Sequence, residues 1–148
     1  MEKSKTDYVR LEREVLEIIE IEGRLQEERA TAEDIDRIEA IAEGGSPRAE
    51  FDIGMCVYCG IKREADKRLA FQWFDRSRKH ASAEIQFQLC YVYFTNGMKE
   101  EADDCVRRML DDDPEYAVRV LKGMEGGDLS NLAWCEKFLI QSINKLRL

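Results

Sequence analysis

Two cysteines three positions apart, Cys56 and Cys59 in "MCVYCG", have the spacing in this 148-residue sequence that most suggests chemistry. A CxxC pair can supply two ligands to a structural zinc ion or form a redox-active dithiol. Zinc usually takes four ligands, so the single histidine, His80, and Cys90 or Cys105 would have to complete the set. A metal-dependent enzyme or zinc-stabilised regulatory protein using Cys56, Cys59 and His80 is therefore an alternative that the sequence leaves open.

The position of the cysteine pair favours a structural role. The pair lies at the end of a predicted helix, just before Gly60, whereas a thioredoxin-like dithiol follows a strand and begins a helix. The chain has five cysteines and begins without an export signal, which predicts reduced thiols that pack as small apolar side chains. No nucleophile elbow, glycine-rich phosphate loop or calcium-loop pattern is present. We therefore predict no catalytic residue and no cofactor.

The charge distribution excludes some classes of partner. Net charge is −8, and residues 1–44 hold 14 acidic and 7 basic side chains while the remainder is almost neutral. Nucleic-acid binding depends on clustered cations, so this balance predicts that nucleic acid is not a partner. No apolar run approaches the roughly 18 residues of a membrane span, and the N-terminal residues lack an apolar signal segment. We expect a soluble cytoplasmic protein that does not bind membranes.

The apolar residues recur three to four positions apart through the whole chain, which is the periodicity of amphipathic helices. Capping residues, glycines and prolines divide this pattern into about eight helices. The predicted helices cover about 8–25, 31–44, 46–59, 64–79, 82–95, 99–110 and 113–123, and an eighth begins at 128 or 130 and continues through 143. The apolar stripe of the first helix is interrupted by Glu22. It is expected to pack onto the following helices, with self-association as another use, so we predict a monomer or a weak homodimer.

An internal repeat indicates how these helices are arranged. The tripeptide "EAD" occurs at 64–66 and again at 101–103, which is 37 residues later. The apolar positions of 49–60 recur at 85–96, and a weaker third copy begins at Ala117. Each unit is a helix, a short turn and a second helix. Because such a hairpin cannot bury its own apolar face, a fixed period predicts stacked hairpins, an all-α solenoid of antiparallel helix pairs.

Residues 46–96 resemble the Sel1-like repeat, a relative of the tetratricopeptide repeat. The first-helix positions of the family pattern are occupied by Ala49, Ile53, Gly54, Val57 and Gly60, with valine in place of tyrosine. The second-helix positions are occupied by Asp66, Ala70, Trp73 and Phe74. The second helix of the next copy departs from the pattern at Arg107, Leu110 and Asp111, where alanine and the aromatic pair would stand.

The resemblance implies a non-catalytic scaffold that binds another protein. It implies Sel1-like repeats at 46–80, 82–112 and 113–146, preceded by an acidic helical pair at 1–44, together forming one compact domain. The family holds partners on the surface of its first helices, which here gives the candidate binding residues Arg48, Asp52, Tyr58, Gln88 and Tyr91. Small bacterial members include adaptors and toxin- or effector-binding proteins. The expected partner is therefore a protein such as a basic toxin or effector, and the expected role is that of an immunity or adaptor protein.

Overall fold

The computed structural model describes residues 5–126, and this part of the protein is all-α, with seven helices and no strand. The predicted eighth helix, from 128 or 130 through 143, lies outside the described residues. None of the described helices combines the length and the apolar character needed to cross a membrane. The helices are α1 (Lys5–Gln26), α2 (Ala32–Glu43), α3 (Pro47–Cys59), α4 (Lys67–Arg78), α5 (Ala83–Thr95), α6 (Lys99–Asp112) and α7 (Pro114–Glu125).

Local capping signals set several helix ends where the sequence predicts them. Thr31 and Asp34 form a capping box: the Asp34 backbone N–H donates to Thr31 Oγ1 at 3.1 Å, and the Thr31 N–H donates to Asp34 Oδ2 at 3.0 Å. Ser46 caps α3, with Pro47 at the first helical position. Gly60 ends α3 in the left-handed region at φ 71°. These ends agree with the predicted helices at 31–44 and 46–59.

Helix α4 begins later than predicted, at Lys67 rather than at Glu64. Asp66 is its N-cap, because the backbone N–H of Leu69 donates to Asp66 Oδ1 at 3.1 Å. The intervening residues form the turn that reverses the chain after α3. Helix α6 extends to Asp112, two residues beyond its predicted end.

Each helix packs against the next one in the chain, most extensively in the α3–α4 and α5–α6 pairs. The odd-numbered helices also contact one another in succession, α1 with α3, α3 with α5, and α5 with α7. Helix α3 is therefore in contact with α1, α2, α4 and α5. Because neighbours cover it from several sides, ten consecutive residues of α3, from Ala49 to Tyr58, are buried.

The buried apolar side chains form one cluster that extends from Ile18 in α1 to Val120 in α7. At Gly54 of α3, the ring of Phe74 lies close to the glycine backbone and leaves no room for a Cβ atom. Phe74 is fully buried, and the rings of Phe51 and Phe71 pack against it with centroid separations of 5.9 and 5.4 Å. Helix α4 thus contacts α3 through a close aromatic–glycine packing.

Candidate binding cleft

A cleft of about 200 Å³ lies between α1, α3 and α5, three helices that are each separated by an intervening helix in the chain. It combines carboxylates, one guanidinium, neutral polar groups and apolar side chains. Its lining comprises Glu22, Arg48, Phe51, Asp52, Ser82, Glu84, Ile85 and Gln88. Three of the five binding residues predicted from the sequence are in this set.

Arg48 is the only basic residue in the lining, and Glu22 of α1 holds it in place. Arg48 Nε donates to Glu22 Oε2 at 2.8 Å, and a second hydrogen bond joins Arg48 Nη2 to Glu22 Oε1. This bidentate pairing raises the pKa of the Arg48 guanidinium, and the nearby carboxylates of Asp52 and Glu84 act in the same direction. The pair ties the first turn of α3 to α1 across one wall of the cleft.

The lining carries more negative than positive charge. Glu22, Asp52 and Glu84 face a single arginine, and Asp52 is almost fully buried at 1% exposure. A partly enclosed site strengthens electrostatic interactions relative to open water, so an excess of carboxylate favours a cationic group. The arrangement is suited to holding a cationic group, and it contains no paired nucleophile and base for catalysis.

Helix starts place several of these side chains. Glu84 lies in the first turn of α5, where a carboxylate interacts favourably with the helix dipole. The backbone N–H of Ala83 beside it donates to Asp112 Oδ2 at 2.8 Å, so the end of α6 fixes the start of α5. Arg48 lies in the first turn of α3, directly after the Ser46 cap. The cleft geometry is therefore determined by helix caps as well as by packing.

The two predicted tyrosines lie elsewhere in the structure. Tyr58 is 8% exposed, and its hydroxyl accepts a hydrogen bond from Asn96 Nδ2 at 3.1 Å. Tyr91 is 6% exposed and is not part of the cleft lining. Both are buried because α3 and α5 are covered on several sides. Their role in binding stays a prediction, and of the five candidates Arg48 has the most accessible side chain, at 43%.

Sequence reasoning missed five of the eight lining residues, the apolar Phe51 and Ile85 and the polar Glu22, Ser82 and Glu84. Glu22 had a signal in the sequence, because it interrupts the apolar stripe of α1, and a charged residue there needs a partner. Its partner, Arg48, is 26 residues away in the chain, so no local pattern connects the two. Ser82 and Glu84 look like ordinary residues of a helix start.

The structure separates the residues of the proposed metal site. Cys56 and Cys59 lie in the last turn of α3, whereas His80 Nε2 is 3.1 Å from Glu50 Oε1 in the first turn of that helix. Nine residues of helix, about 14 Å, separate Glu50 from Cys59. Within the part of the chain that the structure describes, no group of three or more metal-ligating side chains is close enough to hold an ion. Cys135 lies outside that part.

Three of the four cysteines that the structure describes are in environments that disfavour the thiolate. Burial raises the pKa of the Cys56 and Cys105 thiols strongly, and raises that of Cys90 to about 11. A thiol held neutral is a poor nucleophile and a poor metal ligand. Cys59, at the end of the helix, is only partly buried.

Comparison of the chain with protein-family models, with curated proteins and with solved structures finds no match in any of the three.

Proposed function

We propose that this protein is a non-catalytic scaffold that holds a segment of a partner protein in the cleft between α1, α3 and α5. The observation that carries the proposal is a cleft of about 200 Å³ lined by three carboxylates and one guanidinium. This volume is below the range of about 300–1,000 Å³ that is typical of small-molecule sites. A cleft of this size suits a single long side chain better than a substrate.

We also propose that the helices form a solenoid of Sel1-like repeats. The N-caps Ser46 and Ser82 are 36 positions apart, and the helices that they begin, α3 and α5, are both 13 residues long. The close α3–α4 and α5–α6 pairs, together with successive contacts between odd-numbered helices, are what stacked hairpins would produce. In such a stack the first helices line one continuous surface, and the cleft lies on it.

The chemistry of the cleft favours a partner segment that presents lysine or arginine. The charged head of such a side chain would meet the exposed carboxylate of Glu84, and its aliphatic stem would lie against Ile85. The excess of acidic over basic residues in 1–44 would also attract a basic partner from a distance. A basic toxin or effector has this chemistry, and holding it is the task of an immunity or adaptor protein.

The proposal is tested by affinity capture from the native cells, with matched charge reversals. Glu84→Arg places a cation at the rim of the cleft, and Glu100→Arg makes the same change in the first turn of α6, away from it. Both variants lose one carboxylate from a helix start, so their effects on helix stability should be similar. We expect wild type and Glu100→Arg to recover one stoichiometric protein, and Glu84→Arg to recover at least about tenfold less.

Two results would contradict the proposal. Equal recovery of the same partner by both variants would exclude the cleft as the binding surface. Stoichiometric zinc in the purified chain, with loss of helicity on chelation, would instead support the alternative based on Cys56, Cys59 and His80.

A further inference from the structure

Helix α1 carries an exposed apolar stripe between Val9 and Ile19. Val9, Val15, Leu16 and Ile19 are between 45% and 62% exposed. They make up four of the eight large apolar side chains that are exposed in the described part of the chain, and all four fall within 11 consecutive residues. Scattered exposed apolar residues are ordinary, but a contiguous group of them marks an interaction surface.

Helix α1 has apolar side chains on two faces, and the neighbouring helices cover only one of these faces. Ile18, Ile21 and Leu25 are buried against the neighbouring helices. The stripe made by Val9, Leu16 and Ile19 follows the helical spacing on a different side and faces solvent. A helix with two apolar faces is normally covered on both. The outer face therefore lacks a covering element among residues 5–126.

We infer that a second copy of this chain covers this face, with the two α1 helices packed antiparallel about a two-fold axis. Arg13 and Glu20 are exposed and lie seven positions apart, along the same edge of the stripe. In an antiparallel helix pair, each edge faces the same edge of the other helix. When Leu16 of each copy packs against Ile19 of the other, Arg13 of each copy meets Glu20 of the other, which gives two ion pairs beside the apolar seam.

The shape of the surface agrees with this docking. A shallow depression of about 430 Å³ lies beside the stripe and is lined by Leu11, Glu12, Val15 and Leu16. Side chains of a facing helix pack into such depressions between neighbouring residues. The segment from Val9 to Ile19 is about 16 Å long, so the interface is smaller than that of a stable dimer. The expected dimer is weak and dissociates on dilution.

Sedimentation velocity of the full chain across a wide concentration range tests the inference. Leu16→Glu introduces a charge into the seam, and Phe94→Glu is the matched control because Phe94 is exposed to a similar extent, 66%, at the end of α5. We expect wild type and Phe94→Glu to dimerise with the same dissociation constant. We expect Leu16→Glu to raise that constant at least about tenfold. A wild type that stays monomeric up to the highest concentration overturns the inference, as does a dimer that Leu16→Glu leaves intact.

The antiparallel arrangement has a charge-swap test of its own. Arg13→Glu and Glu20→Arg should each weaken the dimer, because each places like charges opposite each other. The double variant restores opposite charges in both pairs and should recover the wild-type dissociation constant. Weakening by both single variants without recovery in the double variant overturns the arrangement. These experiments involve no cleft residue, so their outcome is independent of the partner-binding proposal.

Discussion

Replacing Gly54 with alanine separates helix propensity from packing at a close contact between α3 and α4. An alanine Cβ at this position would lie 2.5 Å from Phe74 Cε1 and 2.7 Å from Phe74 Cδ1, whereas ordinary van der Waals contact is 3.4–4 Å. The ring would have to move by about 1 Å to restore an ordinary contact. Phe74 has no free space to move into, because it is fully buried among other aromatic rings.

Two opposing contributions set the change in the free energy of unfolding that Gly54→Ala causes. An alanine in place of a glycine within a helix raises the free energy of unfolding by about 1 kcal/mol. Overpacking of a well-filled core costs about 1–3 kcal/mol, and the aromatic packing around Phe74 places the cost in the upper part of that range. We therefore expect Gly54→Ala to lower the free energy of unfolding by about 1–2 kcal/mol.

The assay is urea unfolding followed by circular dichroism, with Gly23→Ala as the matched control. Gly23 lies inside α1, and a Cβ there has no neighbouring atom within 4 Å. The control should therefore show only the helix-propensity gain of up to about 1 kcal/mol. If both alanine variants are stabilised equally, the argument from the Phe74 contact is refuted. In the Gly54→Ala background, Phe74→Leu should cost less than it does in wild type, because the smaller side chain relieves the clash.

Three further predictions concern other contacts. Asp34→Ala removes a capping box and the ion pair with Arg24, and should cost about 1–2 kcal/mol. The hydrogen bond from Arg24 lowers the pKa of Asp34 to about 2, below its unfolded value, so the stabilisation is complete above about pH 4. The difference in urea midpoint between wild type and the variant should therefore shrink as pH falls from about 4 to 2. Tyr93→Phe should lower the free energy of unfolding by about 1–2 kcal/mol in the same assay. The fully buried Tyr93 hydroxyl donates to Asp75 Oδ1 at 2.6 Å, and the variant leaves that hydrogen bond unmade. An unchanged free energy of unfolding would indicate that the hydrogen bond has no net stabilising effect. In alkylation mapped by mass spectrometry, Cys59 should react in the native protein before the buried thiols, and early labelling of a buried cysteine would show that the helices open locally. The buried thiols are Cys56, Cys90 and Cys105.

The sequence by itself determined the helical class and most helix ends within 5–126. Thr31, Ser46 and Gly60 act through their own backbone and residues three or four positions away, so their effect can be read without the fold. The late start of α4 shows the limit of this reading. The sequence predicts that the helix begins at Glu64. In the structure Asp66 is the N-cap, and Glu64 lies in the segment before the helix.

Only the tertiary structure decided which polar residues are inside and which meet across the cleft. Periodicity predicts one buried face for each helix, and the resemblance to the Sel1-like repeat placed Asp52, Gln88 and Tyr91 on a binding surface outside that face. Helix α3 contacts four other helices and α5 also contacts four, so side chains off the main apolar stripe are buried as well. The Glu22–Arg48 pair depends on the approach of α1 to α3, a contact between distant parts of the chain that no local pattern encodes.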